Sequence, residues 1–197
     1  MVFDIGNVLL RWDPRNLYRK VFAETAKMEW FLNNICDGPW NLEQDLGRTW
    51  KEAITERILR FPEWEAEIRA YDERWLETLD GEIAENVQLL KDLKRAGIRI
   101  YAISNFSREK WEIAKACFSF VTLLDGIIIS GDIRLVKPDP RIFQLFLDRY
   151  GLTAHDCIFI DDSKANVSAA LQLGMMGVHY HEPMDLAHRL REQGVDF

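Results

Sequence analysis

The sequence predicts an α/β fold: a doubly wound, Rossmann-like parallel sheet core with an inserted α-helical segment near the start. Short apolar runs alternate with helical patterns over residues 98–180, and such alternation implies right-handed crossovers between parallel strands. Residues 14–80, in contrast, show almost no strand signal. With 197 residues the chain is long enough to bury a hydrophobic core.

The predicted strands are short apolar runs bounded by turn signals. In chain order these runs are VF, IRIYAI, FVTLL, CIFI and MGVHYH. The predicted helices of this part of the chain cover residues 84–96, 107–117, 140–150 and 164–173. Three of these helices are followed by Gly97, Gly151 or Gly174, as expected for C-terminal caps. The segment GIIISGDIRLV, residues 126–136, predicts a hairpin that turns at Gly131-Asp132.

The inserted segment is rich in Trp, Glu, Arg and Leu. Its periodicity predicts helices at about 15–35, 42–47, 50–60 and 64–79. We expect its tryptophans to pack between these helices; the alternative is that one or two of them face a ligand. The predicted organisation is therefore a core formed by residues 1–13 and 81–197, and a helical unit formed by residues 14–80.

Composition excludes several classes of protein. The net charge of −7 and the lack of a dense Lys/Arg cluster argue against nucleic acid and anionic membranes as partners. No apolar run is long enough for a transmembrane helix, and the opening residues lack the basic region of a signal peptide. The three scattered cysteines are typical of reduced thiols in a cytoplasmic protein. We expect a cytoplasmic monomer or homodimer.

Polar residues stand where the predicted strands end. Asp4 ends the first strand, Ser104-Asn105 end the second, and Asp161-Asp162 end the CIFI strand. Lys137 lies between the last two groups, just before a helix. Because ligands bind beyond the carboxyl ends of the strands in doubly wound sheets, we expect these side chains to meet at one edge.

This set of side chains suits a phosphate and a divalent cation. Three neighbouring carboxylates repel one another unless a cation compensates them, and oxygen ligands are typical of Mg²⁺. Beside Lys137, Ser104 and Asn105, the cation would complete a site for a tetrahedral dianion. A rigidly held carboxylate can attack phosphorus and form an aspartyl-phosphate, and Asp4 is the candidate nucleophile.

Four motifs, in chain order, resemble those of the haloacid dehalogenase-like (HAD) hydrolase superfamily: FDIGNVL, YAISN, KPDPRIF and FIDDSKAN. The similarity covers the whole chain, and the helical segment stands where one subgroup carries a helical cap after its first strand. The resemblance implies Mg²⁺-dependent hydrolysis of a phosphate monoester. Some members with an FDxGNV motif are sugar-phosphate phosphatases.

The resemblance also implies roles for individual residues. The implied metal ligands are Asp4, which is also the nucleophile, the backbone carbonyl of Gly6, Asp162, and Asp161 directly or through water. The implied phosphate ligands are Ser104, Asn105 and Lys137, with Ser163 and Asn166 supporting the loop.

Gly6 departs from the family pattern. Phosphatases of the family usually carry a second Asp at this position, which protonates the leaving oxygen and later activates water. A positioned proton donor contributes about 10²–10⁴-fold to a rate. Three alternatives remain: a good leaving group, a water on the cation, or a carboxyl from the helical segment. The candidate carboxyls are Asp13, Asp37, Glu43 and Asp45.

Residues 36–47, CDGPWNLEQDLG, are predicted to reach towards the site and select the substrate. Trp40 would stack on a ring, and Asn41, Glu43 and Asp45 would bind hydroxyls. We predict a phosphatase that acts on a small phosphorylated metabolite, with a sugar phosphate as a candidate.

Two other functions stay open. A haloacid dehalogenase also lacks the second Asp, but Asp161 and Asp162 would repel its carboxylate substrate. The other is a non-catalytic, regulatory protein that binds phosphate without turnover.

Overall fold

The computed structural model describes all 197 residues and contains a five-stranded parallel sheet and a two-stranded antiparallel sheet. The strands are β1 Val2–Phe3, β2 Leu10–Trp12, β3 Leu79–Glu82, β4 Tyr101–Ser104, β5 Gly126–Ile129, β6 Ile158–Asp161 and β7 Met176–His179. The order in the large sheet is β5-β4-β1-β6-β7. This arrangement confirms the predicted α/β fold class.

The helices cover both faces of the sheet or form the inserted unit. Those of the insertion are α1 Arg15–Tyr18, α2 Thr25–Asn34, α3 Gly38–Asp45, α4 Trp50–Arg60 and α5 Glu65–Glu73. Those of the core are α6 Ala84–Arg95, α7 Arg108–Cys117, α8 Ser130–Ile133, α9 Pro140–Tyr150, α10 Lys164–Gln172 and α11 Leu186–Glu192. None of them is both long and apolar enough to cross a membrane.

The three central strands, β1, β4 and β6, are buried on both faces because helices cover each side. Val2 pairs with Tyr101 and with Phe159, and these three side chains share one hydrophobic cluster. The next residues along, Phe3 and Ile160, belong to the cluster on the opposite face. The alternation follows from the two-residue repeat of a strand, and it explains why the strands are nearly continuous apolar runs.

The core helices lie close to their predicted bounds, but two elements of the core prediction are wrong. FVTLL forms the 3₁₀ helix Ser119–Leu123 instead of a strand. The segment 126–136 is not a hairpin, because β5 pairs in parallel with β4 and leads directly into helix α8. An isolated apolar run cannot reveal which of two neighbouring segments pairs with the sheet.

The inserted unit lies between β2 and β3, so this small antiparallel ribbon forms both of its connections to the core. The predicted helix 15–35 is divided into α1 and α2, and the predicted helix 42–47 begins earlier as α3. The sequence pattern did not predict this ribbon, because strands of three and four residues are too short to show a clear alternation of apolar and polar residues. The boundaries 14–80 of the helical unit remain our interpretation of this arrangement.

Aromatic side chains form the interior of the inserted unit. Trp40, Trp50 and Tyr71 pack against one another with ring centroids 5.4 to 5.7 Å apart. Such aromatic pairs add stability beyond the area that they bury. Trp40 and Trp50 are among the largest fully buried side chains of the protein. The tryptophans therefore mainly stabilise the packing of these helices.

Candidate active site

The candidate site lies at the carboxyl end of the central strand β1. Strands β4 and β6 flank β1, so Asp4, Ser104 and Asp161 stand side by side at one sheet edge. In the large sheet the chain passes from β1 to β4 and β5 on one side, and then crosses to β6 and β7 on the other side of β1. Doubly wound sheets open a crevice at such a position. The topology therefore brings together residues that are as far apart in the sequence as Asp4 and Asp161.

Asp4 is buried and held on one carboxylate oxygen. Its Oδ1 accepts hydrogen bonds from the Ile5 backbone N–H at 2.7 Å and from Ser104 Oγ at 2.7 Å. Lys137 Nζ lies 2.9 Å from the same oxygen. Because these contacts all engage Oδ1, the other oxygen, Oδ2, has no partner in the protein.

Lys137 joins two carboxylates inside the protein. Its Nζ lies 2.6 Å from Asp161 Oδ2 as well as 2.9 Å from Asp4, and its side chain is fully buried. Asp161 also accepts hydrogen bonds from the Ser163 N–H at 2.8 Å and from the Asn166 amide at 3.0 Å. Both Asp161 oxygens therefore have partners in the protein, and Oδ2 contacts the Lys137 ammonium.

The carboxylates form a cluster that a divalent cation would fit. Asp4, Asp161 and Asp162 each offer an oxygen, and these atoms lie within 4.8 Å of one another. Asp162 stands at the exposed rim, where the Asn7 amide donates to its Oδ2 at 3.4 Å. No hydrogen bond engages the Gly6 carbonyl oxygen. Against the single ammonium of Lys137, the three carboxylates leave an excess of two negative charges.

Burial and mutual repulsion change the acidity of these groups. Burial raises the pKa of Asp4 to about 6; the Lys137 ammonium opposes this rise and the Asp161 carboxylate adds to it. Partial burial, and then the Asp4 charge, raise the pKa of Asp162. Burial lowers the pKa of Lys137, but Asp4 and Asp161 outweigh that effect and raise it above its ordinary value. Carboxylates with raised pKa values mark a site that lacks positive charge.

Asn105 and Ser104 have different partners. The Asn105 amide donates to the Lys137 carbonyl at 3.0 Å, and its Oδ1 accepts from the Lys137 N–H at 2.8 Å. This reciprocal pair fixes the Lys137 backbone against the end of β4. Ser104 is buried, with its hydroxyl directed to Asp4.

A cavity between the helical unit and the core opens beside Gly6 and Asn105. It encloses about 540 Å³ of empty space, including its mouth. Half of its lining is apolar: Leu10, Trp12, Trp50, Trp75, Leu79 and Phe106. Asn41, Asp45, Ser107 and Lys110 supply polar groups.

The structure corrects the expectation for Trp40. Its side chain is only 2% exposed, and it packs against Trp50 and Tyr71 instead of lining the cavity. Its position was misjudged because residues 38–45 form a helix, and one face of a helix must be buried. Asn41 and Asp45, on another face, do line the cavity.

Of the four candidate carboxyls, Asp45 is the one that lines the cavity. Asp13 accepts from the Arg15 backbone, and Asp37 caps helix α3 by accepting from the Trp40 N–H. Glu43 is exposed and pairs with Arg48. These three have local structural roles.

Sequence reasoning missed two contributors to the site. Asn7 has a φ of 52°, a left-handed conformation that Asn tolerates better than most residues, and it supports Asp162. The Ser107 backbone N–H interacts with the Asp45 carboxylate, and the Ser107 hydroxyl accepts from Trp50 Nε1 at 2.9 Å. The Gly6-Asn7 pair was a turn signal in the sequence that could have indicated the role of Asn7. Nothing in the sequence pointed to Ser107.

Parts of this chain are similar in sequence to known proteins. A sesquiterpene phosphatase of Aspergillus oryzae is 29% identical over 109 residues, which cover 55% of this chain and 56% of that protein. The (S)-2-haloacid dehalogenase 4A of Burkholderia cepacia is 29% identical over 87 residues, covering 44% and 38% respectively. The matched regions thus span from under two fifths to just over half of these relatives.

The chain is also similar to solved structures and to a protein-family model. A solved HAD family enzyme from Bacteroides thetaiotaomicron, in complex with magnesium and inorganic phosphate, superposes with a TM-score of 0.74 at 22% identity, covering 96% of this chain and 98% of that one. The family model described as a haloacid dehalogenase-like hydrolase matches residues 1–174. The chain therefore belongs to the haloacid dehalogenase-like hydrolase family.

Proposed function

We propose that this hydrolase is a Mg²⁺-dependent phosphatase that acts on a small phosphate monoester through an aspartyl-phosphate on Asp4. The observation that carries the proposal is the buried Asp4 carboxylate, held on Oδ1 by Ser104 and Lys137 and left free on Oδ2. A nucleophile fixed in this way is aligned for in-line attack without the entropic cost of ordering it during the reaction.

The donor set supports a magnesium ion. Asp4, Asp162 and the Gly6 carbonyl would hold it, with Asp161 acting directly or through water, and the excess of two negative charges equals the charge of the ion. Bound there, the ion would neutralise the phosphate and the neighbouring carboxylates. Lys137 would bind a phosphoryl oxygen from the other side, and Ser104 and Asn105 would hold the phosphate and the loop that presents Lys137.

The residues that line the cavity indicate which kind of organic group the phosphate ester carries. Trp12, Trp75 and Phe106 present aromatic surfaces, while Asn41 presents an amide. Such a lining favours a group with an apolar or ring-shaped face, either a sugar or a terpenoid. The phosphatase named for sesquiterpenes among the relatives supports including prenyl phosphates beside sugar phosphates in a substrate screen.

A haloacid dehalogenase is the alternative favoured by Gly6 and by the dehalogenase relative. In that reaction Asp4 would displace a halide from a 2-haloacid without a metal. The carboxylate of such a substrate would meet Asp161 and Asp162, and like charges at short range in a poorly solvated site disfavour its binding. The charge distribution therefore favours phosphate with a cation over a haloacid.

The decisive experiment is a hydrolysis screen over aryl, sugar and prenyl phosphates, with Mg²⁺ or EDTA, beside the Asp4→Asn variant. We expect Mg²⁺-dependent phosphate release that Asp4→Asn reduces to background, and acid-stable ³²P labelling of the wild type alone. Chloride release from 2-chloropropionate in EDTA would support the dehalogenase instead. Phosphate binding without any hydrolysis would support a non-catalytic protein.

A further inference from the structure

The end of helix α3 is fixed against the core above the candidate active site. Ser130 Oγ donates to the Asp45 carbonyl at 2.7 Å, and the Ser107 backbone N–H interacts with the Asp45 carboxylate. Main chain and side chain of Asp45 are thus held from two core elements, helix α8 and the loop before α7.

Asp45 shares a cavity with the residue at which the family's proton donor is missing. Gly6, Asn105 and Asp45 all line this cavity. A Cβ added at Gly6 would meet no atom within 4 Å. The space that an aspartate would fill at position 6 is therefore open, and a carboxyl reaches the same cavity from the helical unit.

The surroundings keep this carboxyl able to exchange a proton near neutral pH. Burial raises the pKa of Asp45 to about 7; the Ser107 N–H opposes the rise, the Asp4 charge adds to it, and Lys137 opposes it. Other charged groups nearby already have partners or lie on the surface: Lys110 pairs with Asp72, Arg108 with Asp132, Glu43 with Arg48, and Arg134 packs on Gly47.

We propose that Asp45, from the helical unit, is the proton donor and acceptor of the phosphatase reaction, in the role that Gly6 cannot fill. This assignment rests on the proposed phosphatase function. It requires the ester oxygen to lie between Asp4 and Asp45, beside Gly6, which follows Asp4 by two residues and lines the cavity together with Asp45.

The proposed steps balance in protons and bonds. Asp4 Oδ2 attacks phosphorus while the bond from phosphorus to the ester oxygen breaks, and the Asp45 carboxyl gives its proton to that oxygen, releasing an alcohol. The Asp45 carboxylate then takes a proton from a water molecule that attacks the aspartyl-phosphate. Breaking the bond between phosphorus and Asp4 releases inorganic phosphate and restores both carboxyl groups to their initial states.

Benzyl phosphate and p-nitrophenyl phosphate, two esters of similar size, distinguish a proton-transfer role of Asp45 from a purely structural role. The alcohol of benzyl phosphate is a poor leaving group and needs a proton, whereas the nitrophenolate of p-nitrophenyl phosphate does not. For Asp45→Asn we expect kcat/KM to fall about 10²–10⁴-fold for benzyl phosphate and less than about tenfold for p-nitrophenyl phosphate. We also expect a burst of one equivalent of nitrophenol, because the aspartyl-phosphate now hydrolyses slowly.

Three further measurements sharpen the test. The double variant Gly6→Asp/Asp45→Asn should recover benzyl phosphate hydrolysis at least tenfold over Asp45→Asn, since an acid returns at the open position. The fall of wild-type kcat/KM for benzyl phosphate towards alkaline pH, where Asp45 is deprotonated, should disappear in Asp45→Asn. The control Glu56→Gln, which changes an exposed carboxylate on helix α4 of the same unit, should leave both esters unaffected.

The outcomes are distinguishable. Equal losses for both esters, or no loss for benzyl phosphate, would overturn the Asp45 assignment while leaving the phosphatase intact. Absence of Mg²⁺-dependent hydrolysis of both esters by the wild type would overturn the proposed function and this assignment with it. Retained activity towards p-nitrophenyl phosphate shows at the same time that Asp45→Asn is folded.

Discussion

At the scale of single residues, the balance of charge around Lys137 is the most consequential feature of the site. Its ammonium is fully buried between Asp4 and Asp161. A buried ion pair is at best weakly stabilising, but removing one partner leaves the other charge without compensation. Lys137 therefore has a structural role in addition to any role in binding phosphate.

The variant Lys137→Met should be destabilised by about 3–5 kcal/mol, because two buried carboxylates lose their cation. The measurement is urea unfolding in EDTA at pH 7.5. The double variant Lys137→Met/Asp161→Asn should regain part of this stability by removing one of the unpaired charges. If the double variant is no more stable than the single one, the ion-pair explanation is wrong.

At the scale of secondary-structure elements, the start of helix α7 connects the helical unit to the core. Ser107 caps the helix by accepting from the Lys110 N–H at 3.3 Å, and the same Oγ accepts from Trp50 Nε1. Glu109, in the first turn, accepts from the Trp50 N–H at 3.0 Å. The N-terminus of α7 thus binds Trp50, the first residue of α4. Trp50 in turn lines the cavity.

Ser107→Ala should cost about 1–3 kcal/mol, since it removes the helix cap and leaves the buried indole N–H without a partner. Equilibrium denaturation measures this loss. As a matched control, Ser168→Ala removes an exposed hydroxyl from helix α10 and should change stability by less than about 0.5 kcal/mol. Similar effects of the two substitutions would show that Ser107 does not connect the two parts.

At the scale of the whole molecule, the acid cluster should link metal binding, pH and folding. The pKa of Asp4 is raised to about 6 in the folded protein without a cation. The native state then binds more protons than the unfolded chain between about pH 4 and 6, so this group's contribution to stability falls as pH rises through that window. A bound cation prefers the ionised carboxylates and reverses the trend.

Mg²⁺ should therefore raise the melting temperature more at pH 7.5 than at pH 5. Differential scanning fluorimetry of the metal-free protein, with and without excess Mg²⁺, measures the two increments. In Asp162→Asn, which lacks the proposed ligand at the rim, the increment at pH 7.5 should be much smaller. Equal increments at both pH values would contradict a site built on Asp4.

Much of the core was predictable because local rules and long-range packing agree there. Helix α9 begins and ends where its pattern predicts, and Gly97, Gly151 and Gly174 have the positive φ values of helix caps. The segment after β5 shows the limit. Gly131 was read as a turn glycine, but a Cβ there would lie 2.6 Å from the Arg108 backbone nitrogen. Position 131 requires glycine because the backbone of Arg108, 23 residues earlier in the chain, packs directly against it.

The sequence by itself determined the alternation of strands and helices, the acids at the strand ends, and the absence of a second carboxyl at position 6, since these depend on residue type and short-range spacing. Only the tertiary structure decided which side of α3 is buried, and so removed Trp40 from the cavity and left Asp45 in it. The reason is physical: the burial of a side chain, and with it the pKa of a carboxyl, depends on neighbours that approach from distant parts of the chain.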